Sequence, residues 1–281
     1  MAYKRILTIQ DISCVGQCST TVALPLVSAC GVECAILPSS ILSNHTGGFK
    51  SWTFCDLTRE IGNIESKWRE LGITFDAFYT GYVAQSHIDP IISIMNTCAA
   101  EGAVRIVDPA MADNGVLYAG FADDFPSQMA RLVKDADYVL PNLTEAALLT
   151  GEKVDLSPDE KQVKALVEKL HALGAKNVVL TGVSFEKDLL GSAISDGSAI
   201  EYDFNERLSR LSHGTGDVFA SVFAGALMRG KNALEAAAIA ERLDTAEQSV
   251  QQAVAELEAD GVIAGYRAMF DETLLPETAV K

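Results

Sequence analysis

The sequence predicts a three-layer α/β/α fold with a central, mostly parallel sheet. Apolar segments rich in β-branched residues alternate with segments of helical periodicity, which is the pattern of successive βαβ units. The apolar segments lack the polar alternation of a half-exposed strand, so we expect helices to cover both faces of the sheet. Late in this series, two short β-like runs around one turn predict an antiparallel hairpin.

The strands are predicted at 5–10, 32–38, 75–81, 103–109, 137–142 and 176–182. The helices between them are predicted at 16–30, 56–71, 86–101, 122–135 and 157–173. In the last of these, Ser157 and Pro158 form a typical helix start, and Gly174 supplies a stop. The hairpin is predicted within 184–204, with its turn at Asp196-Gly197, and further helices at 216–229 and 232–259.

Composition and charge narrow the classes of function. The 281 residues carry 22 Lys plus Arg against 38 Asp plus Glu, a formal net charge of −16, which argues against nucleic acid and anionic membranes as main partners. Hydrophobic residues make up 48% of the chain, enough for a sizeable core. Because we find no repeat, linker or low-complexity tract, we expect one domain over 1–281, without a separate lid domain.

Location and cysteine chemistry follow from simpler patterns. No apolar run is long enough to span a bilayer, and Asp11 interrupts the apolar stretch at the N-terminus, so we expect a cytoplasmic protein. The six cysteines show neither paired CxxC spacing nor nearby histidines. They are therefore expected to be free thiols rather than disulfides or zinc ligands.

The most informative segment is Gly214-Thr215-Gly216-Asp217, directly before an apolar helix. Two glycines allow a tight turn, and a helix N-terminus presents free N–H groups and the positive end of its dipole. Such a turn suits a phosphate, and Asp217 beside it could accept a proton from a substrate hydroxyl. The alternative is that Asp217 only stabilises the helix start. The combination favours an alcohol kinase.

In this context the segment resembles the ribokinase superfamily of small-molecule kinases. Other segments resemble its pyridoxal/pyridoxamine kinase branch: Ile9-Gln10-Asp11-Ile12-Ser13 with Gly16, Ser43–Gly47, Thr80-Gly81-Tyr82, Asp108-Pro109 with Asp113 and Tyr118, and Pro141-Asn142 with Glu145. The resemblance covers nearly the whole chain in the expected order. It implies a single-domain, commonly dimeric enzyme that phosphorylates the 5′-hydroxymethyl group of vitamin B6 vitamers with ATP and Mg²⁺, and it leaves open a monovalent cation.

The resemblance also implies a role for individual residues. Asp217 is the expected base, with Gly214, Thr215 and Gly216 as the anion hole. The expected vitamer-binding residues are Asp11, Ser13, Thr46 and Tyr82. The expected ATP-binding residues are Asp108, Asp113, Tyr118, Asn142 and Thr181, and the expected Mg²⁺ ligands are Asp108 and Glu145.

The residues themselves agree with part of this assignment. Asp108, Asp113, Asn142 and Glu145 follow predicted strand ends, where ligands gather in open α/β sheets, and oxygen ligands suit Mg²⁺. For each acid alone, the alternative is a solvated loop charge. Ser13, Thr46 and Tyr82 could equally be turn or edge residues. His45, beside a motif glycine, is expected to form a local hydrogen bond rather than to catalyse.

Asp11 departs from the better-known pyridoxal kinases, which carry a serine at the matching position. A carboxylate there would favour a protonated ligand, which points to pyridoxamine. The alternative is that Asp11 caps a helix beginning near Gly16 or pairs with a local amide.

Three other functions compete with this interpretation. A hydroxymethylpyrimidine kinase of thiamine metabolism shares the fold and the glycine turn, but Ser43–Gly47 and Thr80–Tyr82 favour the B6 branch. A sugar kinase would be expected to carry an inserted lid near the N-terminus, and none is evident. A non-catalytic B6-binding protein would not need Asp217 and its glycines.

Overall fold

A nine-stranded sheet with helices on both faces forms the framework of the computed structural model, which describes residues 4–47, 49–207 and 214–243. The strands of this sheet are β1 (Arg5–Ser13), β2 (Glu33–Leu42), β3 (Phe54–Asp56), β4 (Phe75–Thr80), β5 (Ala99–Val107), β8 (Tyr138–Val139), β9 (Asn177–Val183), β10 (Leu189–Ser195) and β11 (Ile200–Glu206). A separate small ribbon pairs β6 (Ala112–Asp113) with β7 (Val116–Leu117). The strand order is β11-β10-β9-β8-β5-β4-β1-β2-β3, and the sheet is parallel from β9 to β2. This confirms the predicted mostly parallel α/β sheet.

The helices divide between the two faces of the sheet. They are α1 (Thr20–Ala29), α2 (Thr58–Leu71), α3 (Ile88–Thr97), α4 (Phe125–Val133), α5 (Leu143–Thr150), α6 (Glu160–Ala172), α7 (Thr215–Met228) and α8 (Ala233–Leu243). One core holds buried residues of α1, α7 and α8, and the other holds those of α2 to α6. Ile6 and Leu7 are neighbours in β1 but belong to opposite cores. The central strands β1 and β4 are mostly apolar because residues on both of their faces are buried.

Two predicted helices have different ends in the structure. The helix expected from residue 16 begins at Thr20, because Gly16 and Ser19 both have positive φ, which no helix accommodates. The helix expected over 86–101 is shorter: a 3₁₀ turn covers Gln85–His87, α3 ends at Thr97, and β5 begins at Ala99. Gly102, at a φ of 72°, lies where the β4–β5 register shifts.

The late hairpin is confirmed, since β10 and β11 pair antiparallel around a turn in which Gly197 has a φ of 88°. Three features were not predicted from the sequence: β3, the β6–β7 ribbon and α5. Continuation of the last predicted helix beyond Leu243 falls outside the described residues, and the extent of the single domain stays a prediction.

The described helices include none that is both long and apolar enough to cross a membrane. All six cysteines are free thiols, as predicted.

Candidate active site

One cavity of about 490 Å³ opens at the carboxyl ends of the parallel strands, the edge where ligands gather in open α/β sheets. Every site residue expected from the sequence lines it: Asp11, Ser13, Thr46, Tyr82, Asp108, Asp113, Tyr118, Asn142, Glu145, Thr181, Gly214, Thr215, Gly216 and Asp217. The order of the strands arranges this wall. Residues of β1, the β2 loop and the β4 loop form one end, and residues that follow β8, together with Thr181 near the end of β9, form the other. Asp108, after β5, lies between them.

The glycine turn brings the start of α7 to the cavity. Gly214 has a φ of 86°, and a Cβ at this position would meet the Gln17 carbonyl oxygen at 2.4 Å, so only glycine fits. Thr215 begins α7, and Asp217 lies in its first turn. The next residues of the helix, from Phe219, are buried, which holds the turn firmly against the sheet. A fixed helix N-terminus of this kind is suited to bind an anion.

Asp217 is held by two hydrogen bonds. Its Oδ2 accepts the Ser19 N–H at 2.9 Å, and its backbone carbonyl accepts the Ser221 hydroxyl at 2.5 Å. Burial raises the pKa of Asp217 to about 6; the Ser19 bond lowers the pKa, and the charge of Asp11 raises it. A carboxyl group with this pKa is mostly ionised at neutral pH and still a useful proton acceptor, as a general base requires.

Asp11 lies near the end of strand β1 rather than after the strand, and it does not cap α1, which begins nine residues later at Thr20. Its side chain is almost fully buried and accepts the Ser13 hydroxyl at 2.9 Å. Burial raises the pKa of Asp11, while hydrogen bonds from Ser19 and Ser13 and the charge of His45 lower it. The capping alternative for Asp11 is therefore wrong.

Aromatic side chains and one imidazole shape the same end of the cavity. The Tyr82 ring packs on Phe121 with centroids 5.1 Å apart, and burial, followed by the Asp11 charge, raises the pKa of its hydroxyl to about 12. Thr46 lies beside His45 in the wall. The His45 ring covers Gly16, where a Cβ would meet its Cδ2 at 1.9 Å. His45 was not predicted as a site residue, but it forms part of the cavity wall.

Asp108 is the buried acid at the centre of the cavity. Only 7% of its surface is exposed, and it follows the last residue of β5 directly. Burial, and then the charges of Glu145 and Asp217, raise the pKa of Asp108 far above its ordinary value. A cation beside Asp108 would favour its ionised form and lower its pKa.

Asn142 and Glu145 form a capping box at the start of α5. The Asn142 side chain accepts the Glu145 N–H at 3.0 Å, and the Glu145 carboxylate accepts the Asn142 N–H at 2.9 Å. Glu145 also accepts the Met111 N–H at 3.0 Å, and the Asn142 amide donates to the Ala112 carbonyl at 2.8 Å. Both side chains thus join α5 to the segment after β5. Their expected roles toward Mg²⁺ and ATP stay predictions, which these bonds permit because a carboxylate offers about four acceptor positions.

The remaining nucleotide-side residues lie around this box, on or directly after the β6–β7 ribbon and in strand β9. Asp113 belongs to the β6–β7 ribbon and accepts both the backbone and the side-chain N–H groups of Asn114. Tyr118 follows this ribbon, and burial, then the charge of Glu145, raises the pKa of its hydroxyl. Thr181 pairs with Asn142 through a parallel bridge, and its hydroxyl donates to the Pro141 carbonyl at 3.4 Å.

The donor set fits Mg²⁺ bound with a nucleotide rather than a closed metal cage. Over residues 4–47, 49–207 and 214–243, no group of three or more His, Cys, Asp or Glu side chains is placed to hold a metal. Asp108 and Glu145 nevertheless present hard oxygen ligands, close enough together for the charge of Glu145 to raise the pKa of Asp108. Mg²⁺ is commonly bound by one or two carboxylates, with water and phosphate oxygens completing its shell.

Several cavity residues carried no sequence signal. They are Cys18, Ser19, Gly182, Leu190, Gly191 and Glu241. Glu241 reaches the cavity from α8 and accepts the hydroxyl of Ser192 in β10. A lone acid in a helical segment gives no warning of such a position. Ser19 falls inside the helix predicted over 16–30, where a single serine gives no indication of a site.

A mostly parallel sheet between two helical layers, with a glycine turn and an acid at a helix start facing the strand ends, defines a ribokinase-like kinase. The chain belongs to the phosphomethylpyrimidine kinase family, whose model matches residues 27–261. It is a phosphotransferase with an alcohol group as acceptor.

Individual relatives show the range of this family. The crystal structure of pyridoxal kinase from Lactobacillus plantarum superposes with a TM-score of 0.79 and 34% identity over 92% of this chain and 90% of that one. A pyridoxal kinase of Dictyostelium discoideum is 26% identical over 238 residues, 79% of this chain and 77% of the relative. A hydroxymethylpyrimidine/phosphomethylpyrimidine kinase of Staphylococcus aureus is 26% identical over 243 residues, 83% of each.

Proposed function

We propose that the chain phosphorylates the 5′-hydroxymethyl group of a vitamin B6 vitamer with ATP, for the salvage of pyridoxal phosphate. The observation that carries the proposal is the position of Asp217, which lies beside the glycine turn, in the same cavity wall as Asp11, Thr46 and Tyr82. This arrangement puts a base and an anion site at one end of a pocket with aromatic and charged groups. The similarity to pyridoxal kinases supports the same substrate class.

In this proposal each group of residues has one task. Asp11, Ser13, Thr46 and Tyr82 hold the vitamer ring, and Asp217 takes the proton from its hydroxyl. The N–H groups of Gly214, Thr215 and Gly216 stabilise the charge of the transferring phosphoryl group. Asp113, Tyr118, Asn142 and Thr181 lie on the nucleotide side. Asp108 and Glu145 would hold Mg²⁺, which neutralises phosphate charge when it is bound.

Hydroxymethylpyrimidine is the second candidate acceptor. It is favoured by the family match itself and by the similarity to the S. aureus enzyme. Both acceptors carry a hydroxymethyl group on a nitrogen heterocycle, so the same base and anion site would serve either.

A panel of acceptors tests the proposal. ADP release is measured with pyridoxal, pyridoxamine, pyridoxine and hydroxymethylpyrimidine, each with and without Mg²⁺, and with Asp217→Asn as the matched control. The proposal expects kcat/KM for at least one vitamer to exceed that for hydroxymethylpyrimidine by about tenfold or more. A preference for the pyrimidine would establish the second candidate, and vitamer binding without ADP release would indicate a non-catalytic binding protein. The homodimer and the cytoplasmic location also remain predictions, the first testable by sedimentation.

A further inference from the structure

Ser19 has a backbone conformation that residues with a side chain rarely adopt. Its φ is 50° and its ψ is −131°, immediately before the first residue of α1. Among the described residues other than glycine, only Asn114 also has a positive φ. Backbone strain of this kind persists where the surrounding structure imposes it, and it clusters at functional sites.

The usual role of a serine at a helix start does not explain this conformation. Ser19 occupies the N-cap position of α1, but its side chain makes no capping hydrogen bond. A capping serine would normally accept an N–H from the first turn. Ser19 is instead 5% exposed and lines the cavity.

The contacts of Ser19 connect the two buried acids at one end of the cavity. Its N–H donates to Oδ2 of Asp217 at 2.9 Å, although the two residues are 198 positions apart. Among the described residues, no other hydrogen-bond donor reaches this carboxylate. The Ser19 hydroxyl also lies close enough to the Asp11 carboxyl group to lower its pKa.

The backbone bond decides which oxygen of Asp217 does the chemistry. With Oδ2 held by the Ser19 N–H, Oδ1 is the oxygen left to accept the proton of the acceptor hydroxyl. A φ near −60° would turn the N–H of residue 19 away from Asp217, and the carboxylate would lose its fixed orientation. Small errors in the position of a base are costly, because transfer requires aligned reacting groups.

We propose that Ser19 is a positioning residue for phosphoryl transfer, whose strained backbone aims the N–H that orients Asp217 toward the acceptor hydroxyl. The proposal rests on the role of Asp217 as the base. It assigns to residue 19 an effect on kcat that depends on backbone geometry rather than on the serine hydroxyl.

Two substitutions separate backbone geometry from the hydroxyl. Ser19→Gly keeps the N–H and adopts the positive φ without strain, and we expect kcat within about threefold of wild type. Ser19→Val is β-branched and disfavours this φ, so we expect kcat to fall about 10–100-fold while the KM for ATP changes less than about threefold. A loss of kcat in Ser19→Gly as large as in Ser19→Val would assign the effect to the hydroxyl and overturn the proposal. So would an unchanged kcat in Ser19→Val.

A double-mutant cycle tests whether the effect passes through Asp217. In the Asp217→Asn background the orientation of a base no longer matters, so Ser19→Val should lower kcat by less than about threefold further. Additive losses would contradict the proposal. Asp217→Asn alone separates the role of Asp217 as the base from the positioning role of Ser19. If this variant keeps full turnover, Asp217 is not the base, whatever the effect of substitutions at Ser19.

A control removes a helix cap outside the cavity. Asp159 caps α6 by accepting the Gln162 N–H at 2.8 Å and does not line the cavity. Asp159→Ala should lower the unfolding temperature but leave kcat per folded molecule unchanged.

If Ser19→Val does not fold, Ser19→Ala replaces it. The proposal expects Ser19→Ala to unfold at a lower temperature than Ser19→Gly, while the two variants have a similar kcat. A loss of kcat shared by Ser19→Ala and Ser19→Gly would overturn the proposal.

Discussion

Asp217→Asn is the substitution that tests the proposed chemistry most directly. Asparagine has nearly the same shape, and its carbonyl oxygen can still accept the Ser19 N–H, so the start of α7 should keep its structure. What disappears is the proton acceptor. Loss of a general base typically lowers the rate by about 10²–10⁴-fold, and we expect kcat to fall within this range while ATP binding stays nearly unchanged.

The pH dependence of the activity gives a second test of Asp217 as the base, independent of the substitution. With a pKa of about 6, raised by burial, about nine-tenths of Asp217 is ionised at pH 7 and about one-tenth at pH 5. Since only the ionised form accepts a proton, and since kcat/KM reports the pKa of the free enzyme, kcat/KM of the wild type should fall about tenfold as the pH is lowered from 7 to 5. In Asp217→Asn the remaining rate should not follow this curve.

The assay is coupled ADP release with the preferred acceptor at saturating Mg²⁺, and nucleotide binding is measured separately by calorimetry with a non-hydrolysable analogue. Thermal unfolding of both proteins verifies that the variant is folded. A turnover within threefold of wild type would refute the reasoning, because another group would then take the proton.

Three further predictions follow from the buried acids. Asp11→Ser should lower kcat/KM for pyridoxamine more than for pyridoxal, because a carboxylate favours the charged amine; an unchanged ratio between the two vitamers would reject this charge selection. Glu145→Gln should raise the Mg²⁺ concentration needed for half-maximal activity more than the KM of the acceptor, and the reverse result would move Glu145 to the acceptor side. Without ligands, the unfolding temperature should be higher at about pH 5.5 than at about pH 8. Burial raises the pKa values of Asp108, Glu145 and Asp217, so the folded state binds their protons more tightly and loses stability as the pH rises through those values; His87, whose pKa burial lowers, opposes this more weakly. Calorimetry at the two pH values measures the difference, and a lower temperature at pH 5.5 would contradict the expected sign.

The parallel sheet could be predicted from sequence because burial on both faces leaves a direct mark on each strand. Ile6 and Leu7 show this, since adjacent residues of β1 enter different cores. Short elements leave no such mark. The three residues of β3 are all exposed, and pairing with β2 alone makes them a strand.

The residues of the candidate site likewise divide into those that a sequence pattern predicts and those that it does not. Residues in motifs, such as Asp217 and Gly214, could be placed because a glycine turn before an apolar segment indicates the N-terminus of a helix. Glu145 was expected at the site, but its part in a capping box with Asn142 was missed, although an Asn followed three residues later by a Glu is a recognisable helix start. Ser19 and Glu241 could not be found in this way, because only the packing of distant segments brings them to the cavity.

The distribution of the cavity wall along the chain has a consequence for divergence within the family. The acceptor side, as proposed, comes from residues up to Tyr82, whereas the phosphate-transfer side comes from Asp108 onward. Provided that Ser19 keeps its N–H on Asp217, substitutions in the first part of the gene can therefore change which heterocycle is accepted while the machinery for transfer is inherited intact. Relatives named for pyridoxal and for hydroxymethylpyrimidine are what such an arrangement would produce. It also makes chimaeras joined between residues 82 and 108 a natural starting point for engineering new acceptors.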